Sequence, residues 1–218
     1  MAAKHLKGVL FKRKVIRIIN AYKKAGVPIA LECGFKLRVP KFSDKEIKLL
    51  TGWRNKNCRV YPTQFSATPK STKSWLRKLV MERQDRILFM IEAPDAEIIG
   101  HLGISNMDFK KKVCELDNVI RGIKNKYPGV MTRAVKAVLE FGFNCLAMDS
   151  FILRVFSENT KAIRFYRRCG FRIAKKIPLK RTKENNTIKY IEADKWFLLR
   201  PDKVFVMMQK DKKDEKAR

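Results

Sequence analysis

Acidic residues are scarce in this chain. Its 218 residues include 21 Asp and Glu against 50 Lys and Arg, a formal charge of +29 at pH 7. A field of that sign gathers polyanions, so it admits nucleic acid, ribosome, anionic lipid and phosphorylated small molecules as partners. The charge runs along the whole chain, and no RNP aromatic pattern, zinc finger or KH loop accompanies it. It therefore sets a partner class and not a function. Histidine is nearly absent, with His5 and His101 alone. The five cysteines, Cys33, Cys58, Cys114, Cys145 and Cys169, form no CxxC pair and have no ligand spacing with either histidine. No disulfide framework and no metal are expected. The cysteines read as small buried hydrophobes of a protein in the reducing cytoplasm. No run approaches the ~20 apolar residues that span a bilayer, so no integral membrane segment is expected. Lys12-Arg13-Lys14 and Arg17 break the apolar stretch that a secretory signal would need. Repeats and low-complexity linkers are lacking too.

What is present suffices for one well-buried domain: 45% hydrophobic and 33% charged residues. Phe11, Val15, Ile18, Ile19 and Tyr22 recur at helical spacing, predicting a basic amphipathic helix over 9–25 that stops at Gly26 and Pro28. The alternation in Phe35-Lys36-Leu37-Arg38-Val39 predicts a strand. Ser43, followed by Asp44 and Glu46, is a capping signal for a helix to about Asn55. After a loop over 57–68, Thr68-Pro69 opens a second helix through Val80. Strands follow at 86–93, 98–106 and 112–121, then a helix at 129–146. A strand at 151–156 leads into a short helix that runs to Gly170. Strands at 171–177 and 203–208 end the pattern, with Lys183-Glu184-Asn185-Asn186-Thr187 between them as a hairpin tip.

Within the short helix, Asn159, Ala162 and Tyr166 stand at i, i+3 and i+7 and share one face. They set an amide, a small gap and a phenol beside a strand end. With Gly170-Phe171 this spacing resembles the N-x-x-A-x-x-x-Y…G-F signature of the GNAT superfamily of acyl-CoA N-acyltransferases. The element order over about 35–209 resembles the same superfamily. The resemblance implies an α/β (α+β) fold, a mixed and mostly antiparallel sheet flanked by helices. Three regions are expected: a basic helix and connector over 1–34, the acetyltransferase domain over 35–209, and a solvated tail over 210–218.

Arg121-Gly122-Ile123-Lys124-Asn125-Lys126-Tyr127-Pro128-Gly129-Val130-Met131-Thr132 joins a strand to a helix N-terminus, where backbone N–H groups and the helix dipole make an anion site. It resembles the superfamily loop [QR]-x-x-G-x-[GA] that cradles the pyrophosphate of coenzyme A. Lys126 stands where Gln or Arg is usual, Pro128 precedes the glycine, and Met131 replaces the second small residue. The resemblance implies acetyl-CoA as acyl donor, held by Val119, Ile120, Arg121, Lys126, Gly129, Val130, Met131, Thr132 and Asn159. Val119 and Ile120 would pair with pantetheine as an added strand.

By the same resemblance Tyr166 is the general acid for the departing thiolate and Glu115 the base, both catalytic. Glu115 and Asp117 lie two apart on one strand and point to one face. Asp117 and His101 are expected on the substrate side. Leu116-Asp117-Asn118-Val119-Ile120-Arg121-Gly122 with Pro128-Gly129-Val130-Met131 resembles bacterial surface-polysaccharide acetyltransferases that act on amino sugars. The pattern including Trp53-Arg54-Asn55 also resembles ribosomal-protein Nα-acetyltransferases. The expected acceptor is the amine of an anionic small molecule, a nucleotide-linked amino sugar, with a ribosomal or peptide amine as the alternative and a non-catalytic nucleic-acid-binding protein as the second. A homodimer is possible on this reading.

Overall fold

The structure, a computed structural model, describes residues 2–193 and 200–215. Its elements are α1 (Ala2–Ala25), β1 (Ile29–Ala30), β2 (Lys36–Arg38), α2 (Asp44–Lys56), β3 (Thr63–Gln64), α3 (Pro69–Trp75), β4 (Ile87–Glu92), β5 (Ile98–Asp108), β6 (Val113–Arg121), α4 (Val130–Glu140), β7 (Ser150–Phe156), α5 (Thr160–Arg168), β8 (Arg172–Glu184), β9 (Thr187–Glu192) and β10 (Lys203–Asp211). They form two units. One takes the described residues of Met1–Phe42, Ser74–Ile152 and Asp211–Arg218, the other those of Ser43–Lys73 and Leu153–Lys210.

In the first unit the strands run in the order β1-β2-β4-β5-β6-β7. Neighbours are antiparallel except β6 and β7, which pair in parallel. All six residues of β4 are buried, as a central strand covered on both faces requires. Helix α4 buries Val130, Met131, Ala134, Val135, Val138 and Leu139. The helix predicted over 129–146 does not stay α-helical: from Phe141 to Cys145 it widens into a π-turn. That turn brings Phe141, Gly142 and Phe143 all into the core, with the Phe143 ring 5.2 Å from Phe151. Gly142 is required there, because a methyl group would collide with the Phe151 ring.

Helix α1 belongs to this unit and begins at Ala2, before the expected residue 9. Alanine, lysine and leucine favour the extension. Val15 and Ile19 are fully buried, and the Tyr22 ring lies 5.8 Å from Phe89 and 5.1 Å from Phe141. Lys23 Nζ donates to the carbonyls of Val80, Met81 and Arg83 at 2.7, 3.1 and 2.6 Å. It thereby caps the π-turn of Leu76–Met81 that follows α3.

In the second unit β10, β8, β9 and β3 are successive antiparallel neighbours. Ser43 caps α2 by accepting from the Glu46 amide, and Thr68 Oγ1 accepts from the Ser71 amide where α3 opens at Pro69. The strand expected over 171–177 continues to Glu184 and turns at Asn185, whose φ is 50°, into β9. Pro178 does not end it, since its carbonyl accepts from Ala193. Strands β1 and β3, two residues each, are too short to show a period.

The boundary expected at 209 is passed. β10 runs to Asp211, Lys210 is buried, and a 3-10 turn follows over Lys212–Glu215. Lys212 Nζ donates to the Phe143 carbonyl at 2.7 Å. The rest of the expected solvated tail, 216–218, lies outside the described residues. Of the five cysteines, all free, only Cys114 and Cys169 are buried. Cys33 and Cys145 are exposed, which corrects the reading of all five as core residues.

Candidate active site

The first-unit candidates converge on β5 and β6. Register sets Gly103 opposite Asp117 and Ser105 opposite Glu115, so these four residues share one sheet face. Between His101↔Ile120 and Gly103↔Asp117, β5 advances two residues and β6 three. The extra residue makes a β-bulge, and Asn118 turns into the left-handed region with φ 50°. β6 pairs with β7 only over Val113–Glu115, so Leu116–Arg121 is paired on the β5 side alone among the described residues.

Glu115 is buried, not on a solvated face, and Asn106 Nδ2 donates to its Oε2 at 2.8 Å. Asp117 Oδ2 accepts from Arg86 Nη2 at 3.0 Å. Burial holds the Asp117 carboxyl above its usual range, and the Arg86 charge opposes this. Asp117 Oδ1, Arg86 Nε and Ser105 Oγ are buried without a hydrogen bond among the described residues. Ser105 still lies close enough to the carboxylate to pull its pKa down. Gly103 leaves the room for this cluster, since a Cβ there would stand 2.9 Å from Asp117 Oδ1 and 2.8 Å from the Ile87 carbonyl. Burial pushes His101 down to about 4, against a hydrogen bond with the Asn118 backbone, so its ring is neutral at physiological pH.

Val119 and Ile120 follow the bulge, and β6 passes through Arg121 into the loop. Arg121 staples that loop by donating to the carbonyls of Ile123 at 3.1 Å and Lys126 at 2.6 Å. Asn125, Tyr127 and Gly129 have φ of 61°, 59° and 78°. Such alternation turns successive amides toward one concavity. Among the described residues, the amides of Asn125, Lys126, Tyr127 and Gly129 donate to no protein acceptor. Lys126 is tied to Glu97 at 2.6 Å, and the Tyr127 hydroxyl donates to Asp95. Lys124 is exposed and has no acidic partner among the described residues. Val130 and Met131 are buried, so the bulk of Met131 packs inward, and the Thr132 amide donates to the Gly129 carbonyl.

The remaining two candidates fall in the second unit. Asn159 is the N-cap of α5, its Oδ1 accepting from the Ala162 amide at 3.2 Å. Tyr166 is half-buried, with its ring 6.0 Å from Phe171. Gly170 at φ 91° ends the helix, and the Phe171 amide donates back to the Tyr166 carbonyl. The signature spacing thus builds a capped, closed helix. Arg86, Ser105, Asn106 and Asn118 were not flagged from sequence. The β5–β6 pairing brings Ser105 and Asn106 to Asp117 and Glu115, an ion pair brings Arg86 to Asp117, and Asn118 is next to Asp117 in the chain.

Residues 36–172 match the family model described as acetyltransferase (GNAT) domain. The chain belongs to this family and is an acyltransferase, transferring an acetyl group to an amine. Spermidine N-acetyltransferase from Vibrio cholerae in complex with CoA and spermine superposes with a TM-score of 0.65 at 14% identity, covering 82% of this chain and 96% of that one. A dodecameric structure of the same enzyme, in an intermediate state, gives 0.60 at 16% identity over 83% and 95%. These likenesses establish the fold. No curated protein sequence matches the chain.

Proposed function

We propose that the acetyl donor is acetyl-CoA and the acceptor the amine of an amino sugar, carried as a nucleotide-linked sugar in surface-polysaccharide synthesis. The observation that carries the acceptor is the partly buried cluster of Arg86, Ser105 and Asp117, in which three buried hydrogen-bonding atoms have no hydrogen-bond partner among the described residues. Unmet donors and acceptors are costly in a protein interior, and a polyhydroxylated ligand satisfies them. The formal charge of +29 supports the same choice. It repels a polycation such as spermine and attracts a sugar diphosphate.

The described residues suit the donor. The amides of Asn125, Lys126, Tyr127 and Gly129, unbonded among the described residues, and the start of α4 fit a pyrophosphate, and the half-paired Leu116–Arg121 fits a pantetheine arm. Acetyl-CoA supplies an acyl group activated as a thioester. Glu115, steadied by Asn106, takes the proton of the attacking amine. As the carbon–sulfur bond breaks, Tyr166 gives its hydroxyl proton to the departing thiolate. A phenol of ordinary pKa about 10 suits that donation. Asn159 spends its oxygen on the Ala162 amide, so its NH2 group is the donor toward pantetheine. His101, neutral and buried, lines the substrate side without adding charge.

The test is thiol release from acetyl-CoA with nucleotide-linked amino sugars, spermidine and N-terminal peptides as acceptors. Amino-sugar kcat/KM above all others supports the reading. Preference for spermidine or a peptide replaces it.

A further inference from the structure

The outward face of α1 is not used by the chemistry above. The first thirty-one residues hold Lys4, Lys7, Lys12, Arg13, Lys14, Arg17, Lys23 and Lys24 and no Asp or Glu; Glu32 is the first acid. Docking through Val15, Ile19 and Tyr22 turns the opposite side of α1 to solvent. Leu10, Arg13, Arg17 and Lys24 stand at i, i+3, i+7 and i+14, so they form one stripe along that side. All four are exposed, Leu10 by 54%. Among the described residues none of Lys12, Arg13, Lys14, Arg17 and Lys24 is in an ion pair. Two reciprocal contacts hold the inward side of α1 against the β5–β6 turn: Lys12 lies 5.8 Å over the Phe109 ring, and Lys112 lies 5.1 Å over the Phe11 ring. That turn adds exposed Lys110.

We propose that this face of α1 is a docking surface for an anionic phospholipid bilayer. A helix fixed along one side offers a straight row of charges, which matches a flat array of headgroups. Leu10 on the same row can enter the boundary between headgroup and acyl chain, the arrangement of interfacial basic helices. Nucleic acid is the weaker fit. Phe11 and Tyr22 face inward, so the described stripe carries no aromatic ring on which a base could stack. No described helix is long and apolar enough to cross a membrane, so the contact is peripheral.

The experiment is co-sedimentation of the full chain with vesicles of phosphatidylcholine alone or mixed with phosphatidylglycerol, at low and high salt. The wild type should sediment with the anionic vesicles only, and high salt should release it. The variant Arg13→Glu/Arg17→Glu/Lys24→Glu should bind them about tenfold more weakly or worse, with melting temperature and acetyl-CoA affinity unchanged. If it fails to fold, Arg13→Gln/Arg17→Gln/Lys24→Gln is read in its place. The control Lys175→Glu/Lys176→Glu/Lys183→Glu makes the same charge change at exposed positions elsewhere. Equal loss in both variants overturns the proposal in favour of diffuse net charge. Vesicle binding that ignores lipid charge overturns it, as does loss confined to binding of a duplex RNA. Acceptor turnover is scored separately, so failure here leaves the catalytic reading untouched.

Discussion

Arg86 and Asp117 form a half-satisfied pair: the guanidinium donates to Oδ2 at 3.0 Å, while Oδ1 and the Arg86 Nε have no partner among the described residues. Both side chains are 18% exposed. Removing one partner strands the other charge in a poorly solvated place. Arg86→Met should therefore destabilise the protein by about 2–4 kcal/mol in urea unfolding. Arg86→Lys, which keeps the charge but loses the fork, should recover most of that stability while acceptor KM stays raised. Equal acceptor KM in wild type and Arg86→Lys would remove Arg86 from acceptor positioning.

Tyr166→Phe should lower turnover by about 10²-fold and leave acetyl-CoA affinity nearly intact. The ring contact with Phe171 and the Asn159 cap do not depend on the phenol oxygen, so α5 should keep its form. The measurement is steady-state rate and calorimetric affinity on one preparation. A rate equal to wild type would assign the proton to another group.

Gly129 occupies φ 78°, and a Cβ there would meet only Arg133 Nη1 at 3.3 Å. The penalty for substitution is thus mainly backbone strain. Gly129→Val should weaken acetyl-CoA binding by about 1–2 kcal/mol. Gly129→Asn, which tolerates the left-handed region, should lose much less. Calorimetry on the two variants checks the order.

Lys23 is lowered by burial to about 8 from an ordinary 10.5. Between those values the unfolded chain binds more protons than the folded one, so this residue makes stability rise with pH across that window. Lys23→Met should flatten that rise. It should also cost about 1–2 kcal/mol through the uncapped carbonyls of Val80, Met81 and Arg83. Urea midpoints measured through the window test both effects.

Much of the candidate site could be read in advance, and the limits have a physical form. Asn159, Ala162, Tyr166 and Gly170 interact within one helix, so their offsets alone predict the cap, the face and the stop. The glycine of the 125–129 loop and its place before a helix were legible as a tight turn into α4. Of the two lysines between Arg121 and Thr132, Lys126 is tied to Glu97, an acid 29 residues earlier, and Lys124 is exposed without an acidic partner among the described residues. Glu115 and Asp117 were correctly placed on one face by the period of two. Their surroundings were not visible, because Ser105 and Arg86 reach them only through the pairing of β5 with β6 and the ion pair across 31 residues.

Local sequence by itself determined the order of the helices and of most strands, the capped signature helix and the family to which the chain belongs. Periodicity, caps and turn residues act over a few positions and leave their mark in any short window. Tertiary structure alone decided the bulge at Asn118, the partly satisfied cluster around Asp117 and the docking of α1 by Lys23 onto carbonyls 57 to 60 residues away. Each depends on which distant backbone lies alongside, and a strand shifted by one residue would turn every side chain of the cluster to the opposite face.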